Sequence, residues 1–315
     1  MRRYLARRAG LLLLTLLLAS ALIFVITRLL PGDVARVILG REASPEAVAA
    51  LRAELGLDRP IVVQYLAWLW DFARGDWGRS FSTRLPIRAV VAERLGNSLM
   101  LAGLTMAIAV PLGVALGVLA GLRQDRPADH AISVGALAVV GLPEFVTGLF
   151  LIDLLAFRLR WLPANSSIRP GAGFLEALPQ LVLPALTATL VLLAYVVRLT
   201  RAGVIEELRQ DYVRTARLKG LPRRAVLGRH VLRNALLPTV TVVAISLGWL
   251  ISGLIVVENV FNYPGLGRLL TFAIDRRDLP LLQAVSMVTV LIFALANLAA
   301  DLAYAWLNPR IRLGG

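Results

Sequence analysis

Few side chains in this sequence are placed to make or break bonds. Gly96-Asn97-Ser98 offers the start of a nucleophile turn, but no glycine follows it at the required spacing, and it opens an apolar run. A serine nucleophile also needs a base, and His130 and His230 both fall at the charged ends of apolar runs. Neither histidine has the carboxylate and second histidine of a zinc site, so no metal ligand set is read here. There is no GxxxxGK[ST] phosphate loop, and the chain's one lysine is Lys219. The expectation is a chain with no catalytic residue that binds no cofactor of its own. With no cysteine in 315 residues, disulfides, thiolate metal sites and thiol nucleophiles are excluded as well.

What remains is the chemistry of charge beside an apolar solvent. Glu144 falls near the middle of one apolar run and Asp153 nearer its end. A carboxylate facing lipid is too costly, so Glu144 should face other helices. Two roles stay open for it: an interhelical hydrogen bond, or a place on a solute pathway. Asn297 and Asp301 read as structural, with an interfacial arginine as a partner. The densest charge lies in 198–238, where ten Arg and Lys side chains stand against Glu206, Glu207 and Asp211. Each charge at a bilayer centre costs about 2.5–3.5 kcal/mol even on the mildest scale, so this segment must lie in water or at headgroups. Its positive excess puts it on the cytoplasmic side. Asp211 to Lys219 and Ala225 to Asn234 have helix-forming composition, separated by Gly220-Leu221-Pro222, which predicts helix, sharp turn, helix.

The elements that position this segment follow from composition. The chain is 58% hydrophobic with mean hydropathy +0.73, so the membrane is its solvent. The net charge of +14 flanks apolar spans, as at Arg2, Arg3, Arg7, Arg8, Arg310 and Arg312, which is an orientation signal and not a nucleic-acid surface. Residues 1–30 read as an uncleaved anchor helix with its N-terminus inside, favoured over a signal peptide cut near Ala19-Ser20-Ala21. Arg28 is close enough to its outer end to snorkel. Residues 31–96 carry nine basic and eight acidic residues, balanced as an external loop should be. Val48, Leu51 and Leu55 share one helical face and Ile61, Tyr65, Leu69 and Phe72 another, which predicts two short amphipathic helices. Trp68, Trp70 and Trp77 read as interfacial anchors in preference to a ligand site.

Five further spans follow at 97–121, 131–157, 179–197, 236–257 and 279–306, with a cytoplasmic loop at 198–235 and a cytoplasmic tail at 307–315. The fold class is thus an all-α integral membrane protein of six transmembrane helices with both termini cytoplasmic. Gly113, Gly117 and Gly121 recur every fourth residue and predict close helix packing. Pro111, Pro143 and Pro184 free backbone carbonyls that need partners, as in helices buried in protein or lining a wet cavity.

The central segment carries a resemblance. RTARLKG, Arg214 to Gly220, sits where importer permeases of the ATP-binding-cassette class carry the loop EAAxxxG, and Leu237-Pro238 closes it. Arg214 and Thr215 replace the Glu and first Ala of that pattern, while Ala216 and Gly220 stand. With RYLARR and RLLPGD at the start, GDWGRSF in the external loop, ENVFNYPGLGRLL at Glu258 to Leu270 and DLAYAWLNPRIR at the end, the chain resembles the dipeptide/oligopeptide/nickel branch over nearly its whole length. The long first loop is similar to that of the first of the branch's two permease subunits.

The resemblance implies a type I importer permease. Its coupling helix would comprise Asp211, Tyr212, Arg214, Thr215, Ala216, Arg217 and Lys219, with Gly220 as its turn, seated in a cytoplasmic ATPase. It further implies a second six-helix permease, two ATPases that hold the ATP and magnesium, a substrate-binding protein outside, and alternating access in a plasma membrane. Peptides are the implied solutes, with nickel chelates and glutathione within the same branch. Glu144, Asn259 and Asn262 are the pathway candidates. A stand-alone ion-coupled transporter is the alternative, for which paired acids at mid-depth and internal symmetry would speak; a non-transporting membrane scaffold is a third reading.

Overall fold

Long apolar runs form helices here because a chain without water must satisfy its backbone polar groups internally. The structure, a computed structural model, describes residues 2–29, 36, 39, 42–54, 56–169 and 171–307. Leu55, most of 30–41 and all but the first residue of the expected tail at 307–315 lie outside the described residues. Among the described residues every regular element is helical, beside one isolated antiparallel bridge between Arg79 and Pro86. Among the described residues four helices are long and apolar enough to cross a membrane, or five crossings if one bent pair counts as a span.

The chain divides into two units, 1–98 with 264–294 and 99–263 with 295–315. In the first, α1 (Arg2–Leu29) is the N-terminal apolar helix, and α2 (Pro45–Glu54) and α3 (Ile61–Arg74) are the two expected amphipathic helices. An aromatic ladder ties α1 to α3: Phe24 meets Tyr65 and Trp68 with centroids 5.5 and 5.7 Å apart, Trp68 meets Phe72 at 6.0 Å, and Phe72 stacks on Trp77 at 5.1 Å. The Arg28 guanidinium donates to the Gln64 amide oxygen and lies over the Phe24 ring, so its charge is held at the end of the span. Helix α4 (Ile87–Leu122) starts ten residues before the apolar run that announced it. The reason is the fully buried Ile87 and Val91, which pack with Leu266, Leu269 and Ala273 of α12 (Leu266–Asp275) and with Leu281 and Val285 at the start of α13 (Leu279–Leu307). Ser98 accepts the Leu266 amide at 2.8 Å, so the hydroxyl once considered as a nucleophile instead caps a helix start. Asp278, fully buried, caps α13 and takes the Ser80 hydroxyl at 2.5 Å and the Ser82 amide at 3.0 Å.

In the second unit, the expected span 131–157 is broken. α5 (Pro127–Gly141) and α6 (Glu144–Leu151) meet at Leu142-Pro143 with a 104° bend, and a π-helical turn, Ile152–Arg158, continues α6. Proline favours extended backbone in the residue before it, and Leu142 obeys at φ −94°, ψ 133°. The expected span 179–197 lies inside α7 (Phe174–Leu208), 35 residues and about 52 Å long at 1.5 Å per residue. Since hydrocarbon is about 30 Å thick, α7 carries its basic end well beyond it. The glycine stripe behaves as expected: a Cβ at Gly113, Gly117 or Gly121 would lie 2.6–2.8 Å from Val196, Thr200 or Val204 of α7. Close backbone approach of this kind is what holds helices together in lipid, where apolar burial alone gives little drive.

Candidate functional site

The basic segment folds as its composition predicts. After α7, α8 (Asp211–Leu218) is a two-turn helix whose Val213 and Ala216, three apart, are buried while Arg214, Thr215, Arg217 and Leu218 face outward. Spacing alone sets this division, because positions i and i+3 share a helical face. Val213 and Ala216 pack with Val204 of α7 and with Val226, Val231 and Ala235 of α9 (223–235), in which Val226–Val231 is π-helical and the flanking turns are α-helical. Burying Val213 contributes about 1.5–3 kcal/mol, a large hold on a helix of eight residues.

The end of α8 is fixed by Gly220 at φ +76°. The Leu221 amide donates to the Ala216 carbonyl at 3.3 Å and the Gly220 amide to the Arg217 carbonyl at 3.0 Å, the paired bonds of a Schellman ending. Glycine is needed here because the left-handed region crowds a Cβ. At the other end, the Tyr212 hydroxyl bonds the Glu207 carboxylate and accepts the Asn234 amide at 3.0 Å. Desolvation, then the Glu207 carboxylate, raises the Tyr212 hydroxyl above its ordinary value, so it stays protonated as a donor. Tyr212 thereby joins α7, α8 and α9, while Leu218 is left 80% exposed at the tip.

Two features anchor α7 beneath this tip. Gly203 lets the Ala235 carbonyl come so close that a Cβ would sit 2.4 Å from it. Arg201 makes two parallel bonds to Asp129 near the start of α5, Nε to Oδ1 at 2.5 Å and an Nη to Oδ2 at 2.7 Å. Asp129 is 1% exposed and also accepts the Asp125 amide at 3.0 Å and the Ser133 hydroxyl at 3.2 Å. Sequence reading passed over this pair; its only signal was a carboxylate in the first turn of a helix behind Pro127.

The pathway candidates are not brought together into one polar cluster. Glu144 is half-buried at the start of α6, immediately after the break, and forms no side-chain hydrogen bond or ion pair among the described residues. The Asn259 amide donates to Ile255 within α11 (Ile255–Val260), at 2.7 Å. α11 follows α10 (Leu237–Gly253) across a break at Leu254, inside what the sequence presents as one span. Asn262 donates to Asn165 and Ser167, both at 3.2 Å, and the Ser166 amide donates to the Phe261 carbonyl at 2.9 Å, so this turn is bound to the 159–173 loop. Phe261 and Tyr263 beside it are fully buried with Leu181, Leu183 and Leu254.

Comparison with known proteins adds two family matches and several relatives. The family described as binding-protein-dependent transport system inner membrane component matches residues 113–313, and the N-terminal part of the corresponding membrane component matches 1–102. A probable peptide ABC transporter permease protein from Sinorhizobium fredii is 38% identical over 98% of this chain and 99% of its own. The glutathione transport system permease protein of Shigella flexneri is 38% identical over 99% of both, and a putative peptide permease of Brucella suis is 38% identical over 99% of this chain and all of its own. A solved amino acid ABC transporter, crystallised with histidines, covers 69% of this chain and 93% of its own at a TM-score of 0.55 and 16% identity, a likeness of fold.

Proposed function

This chain belongs to the binding-protein-dependent transport system inner membrane component family, among its peptide-type ABC permeases, and from that premise we propose how its parts serve transport. It is a multi-pass inner-membrane permease subunit of an ABC importer. Our reading gives it six crossings: α1, α4, the bent pair α5 and α6, α7, the pair α10 and α11, and α13, with both termini in the cytoplasm. The excess of Arg at 198–233 supports that orientation. Peptides or peptide-like solutes are its cargo, glutathione among them, passed between this chain and a second permease.

The observation that supports coupling through α8 is its division into a buried and a presented face. Val213 and Ala216 hold the helix to α7 and α9, while Arg214, Arg217 and Leu218 are offered outward. α8 would seat in a cytoplasmic ATPase, which holds the ATP and magnesium that this chain has no loop to bind. Two such ATPases closing on nucleotide move α8 as a rigid body, and α7 carries the displacement into the membrane. Differential contacts in the open and closed states supply the work. A binding protein outside delivers the solute.

The absence of cysteine makes the test direct: Lys219→Cys in the assembled transporter should cross-link to an ATPase in a yield that ATP alters. No cross-link at any position from Arg214 through Gly220, with partners present and the chain folded, would reject this coupling and favour a stand-alone transporter.

A further inference from the structure

The sequence groups Trp68, Trp70 and Trp77 as interfacial anchors, but the structure separates them. Trp70 is 58% exposed with the Arg74 guanidinium 4.3 Å from its ring centre, as an anchor at an interface would be. Trp68 and Trp77 instead turn toward a cavity of about 310 Å³ in the first unit, between the end of α3 and the start of α13. Its walls are aromatic: Phe72 stacks on Trp77 with 8° between the rings, and the Trp77 indole N–H is already spent on the Phe72 carbonyl at 3.0 Å. The polar groups that line it are Asp71, Asp76 and Gln283, and no basic side chain is among them.

The charged groups offered to the hollow are both acceptors, the carboxylates of Asp71 and Asp76. The Gln283 amide nitrogen donates one of its two N–H groups to Thr27 at 2.7 Å, and its carbonyl is an acceptor. One Asp76 oxygen accepts the Gly78 amide at 3.2 Å, and among the described residues neither Asp71 nor Asp76 forms an ion pair. Two exposed carboxylates outside any ion pair among the described residues thus stand beside aromatic faces. Ring faces carry negative potential and attract cations, and carboxylates accept hydrogen bonds from ammonium and guanidinium groups. An anionic ligand would be repelled by the two carboxylates, and an apolar one would gain nothing from them.

We propose that this cavity recognises an alkylammonium or guanidinium group. The group could arrive on a free cationic solute or on a side chain of an extracytoplasmic protein, and the chemistry is the same. The proposal does not rest on α8 meeting an ATPase, so its failure and the failure of that coupling are distinguishable.

Incorporate 5-fluorotryptophan into the full chain in detergent and titrate with arginine amide, using citrulline amide as the uncharged counterpart. The Trp68 and Trp77 fluorine resonances should shift and saturate with arginine amide alone, while that of Trp161, 72% exposed elsewhere, stays still. Asp71→Asn with Asp76→Asn should raise the half-saturating concentration at least fivefold, and both are surface changes that leave folding intact. Equal shifts with citrulline amide, or saturation unchanged in the double variant, would overturn the proposal. In the assembled transporter, competition of arginine amide by the binding protein assigns the cation to that protein, and lack of competition assigns it to a free solute.

Discussion

Removing the two partners of the Arg201 and Asp129 pair should cost unequal amounts, because only one of them is cut off from water. Asp129 is 1% exposed, whereas Arg201 is 31% exposed. Arg201→Met keeps the apolar stem but leaves a buried carboxylate with only the Asp125 amide and the Ser133 hydroxyl. Orphaning a buried charge costs about 3–5 kcal/mol. Asp129→Asn leaves a guanidinium that can turn to water, and should cost about 1–2 kcal/mol. At about 2 °C per kcal/mol for a chain of this size, thermal unfolding followed by circular dichroism in detergent should fall by about 6–10 °C for the first and about 2–4 °C for the second. The double variant should sit above the sum of the singles by about 1–3 kcal/mol, since the residues are in direct contact. If Asp129→Asn is as damaging as Arg201→Met, or if the two effects simply add, the pair is not a desolvated clamp and the reasoning fails.

Other outcomes follow from the same geometry. Gly117→Ala should cost about 1–3 kcal/mol in a thermal melt, because its Cβ would lie 2.6 Å from Thr200 Cβ and 2.8 Å from the Val197 carbonyl; Gly135→Ala, with nothing within 4 Å, should be near neutral. Gly220→Ala should destabilise the segment by about 1–2 kcal/mol through its positive φ, seen as faster amide exchange across 211–221, and unchanged exchange would remove the Schellman ending as a cause. Leu218→Ser should leave unfolding within about 0.5 kcal/mol of the parent while lowering ATP-dependent uptake several-fold; full uptake would take Leu218 out of the contact surface. Tyr212→Phe should cost about 0.5–1 kcal/mol, because Asn234 and Glu207 lose their shared hydroxyl but can turn to water, measurable in the same melts.

Hydropathy, charge and turn chemistry act over a few residues, so the sequence by itself determined the membrane class, the apolar runs, and the helix, Gly220 turn and helix of the basic segment. The glycine stripe at 113, 117 and 121 was legible as packing for the same reason, since four-residue spacing is a property of one helix. What those glycines meet on α7 was not, because the partner lies 83 positions on, from Gly113 to Val196. Only the tertiary structure joined Arg201 to Asp129, 72 residues apart, and only it turned the run at Pro143 through 104° and set Glu144 at the head of a new helix. It also sent Trp68 and Trp77 to a cavity while Trp70 stayed outside. A one-dimensional pattern states which side of a helix is apolar. Which neighbour covers that side depends on contacts between distant segments, and in lipid these are chosen by shape and polar pairing, because every apolar surface is alike to the solvent.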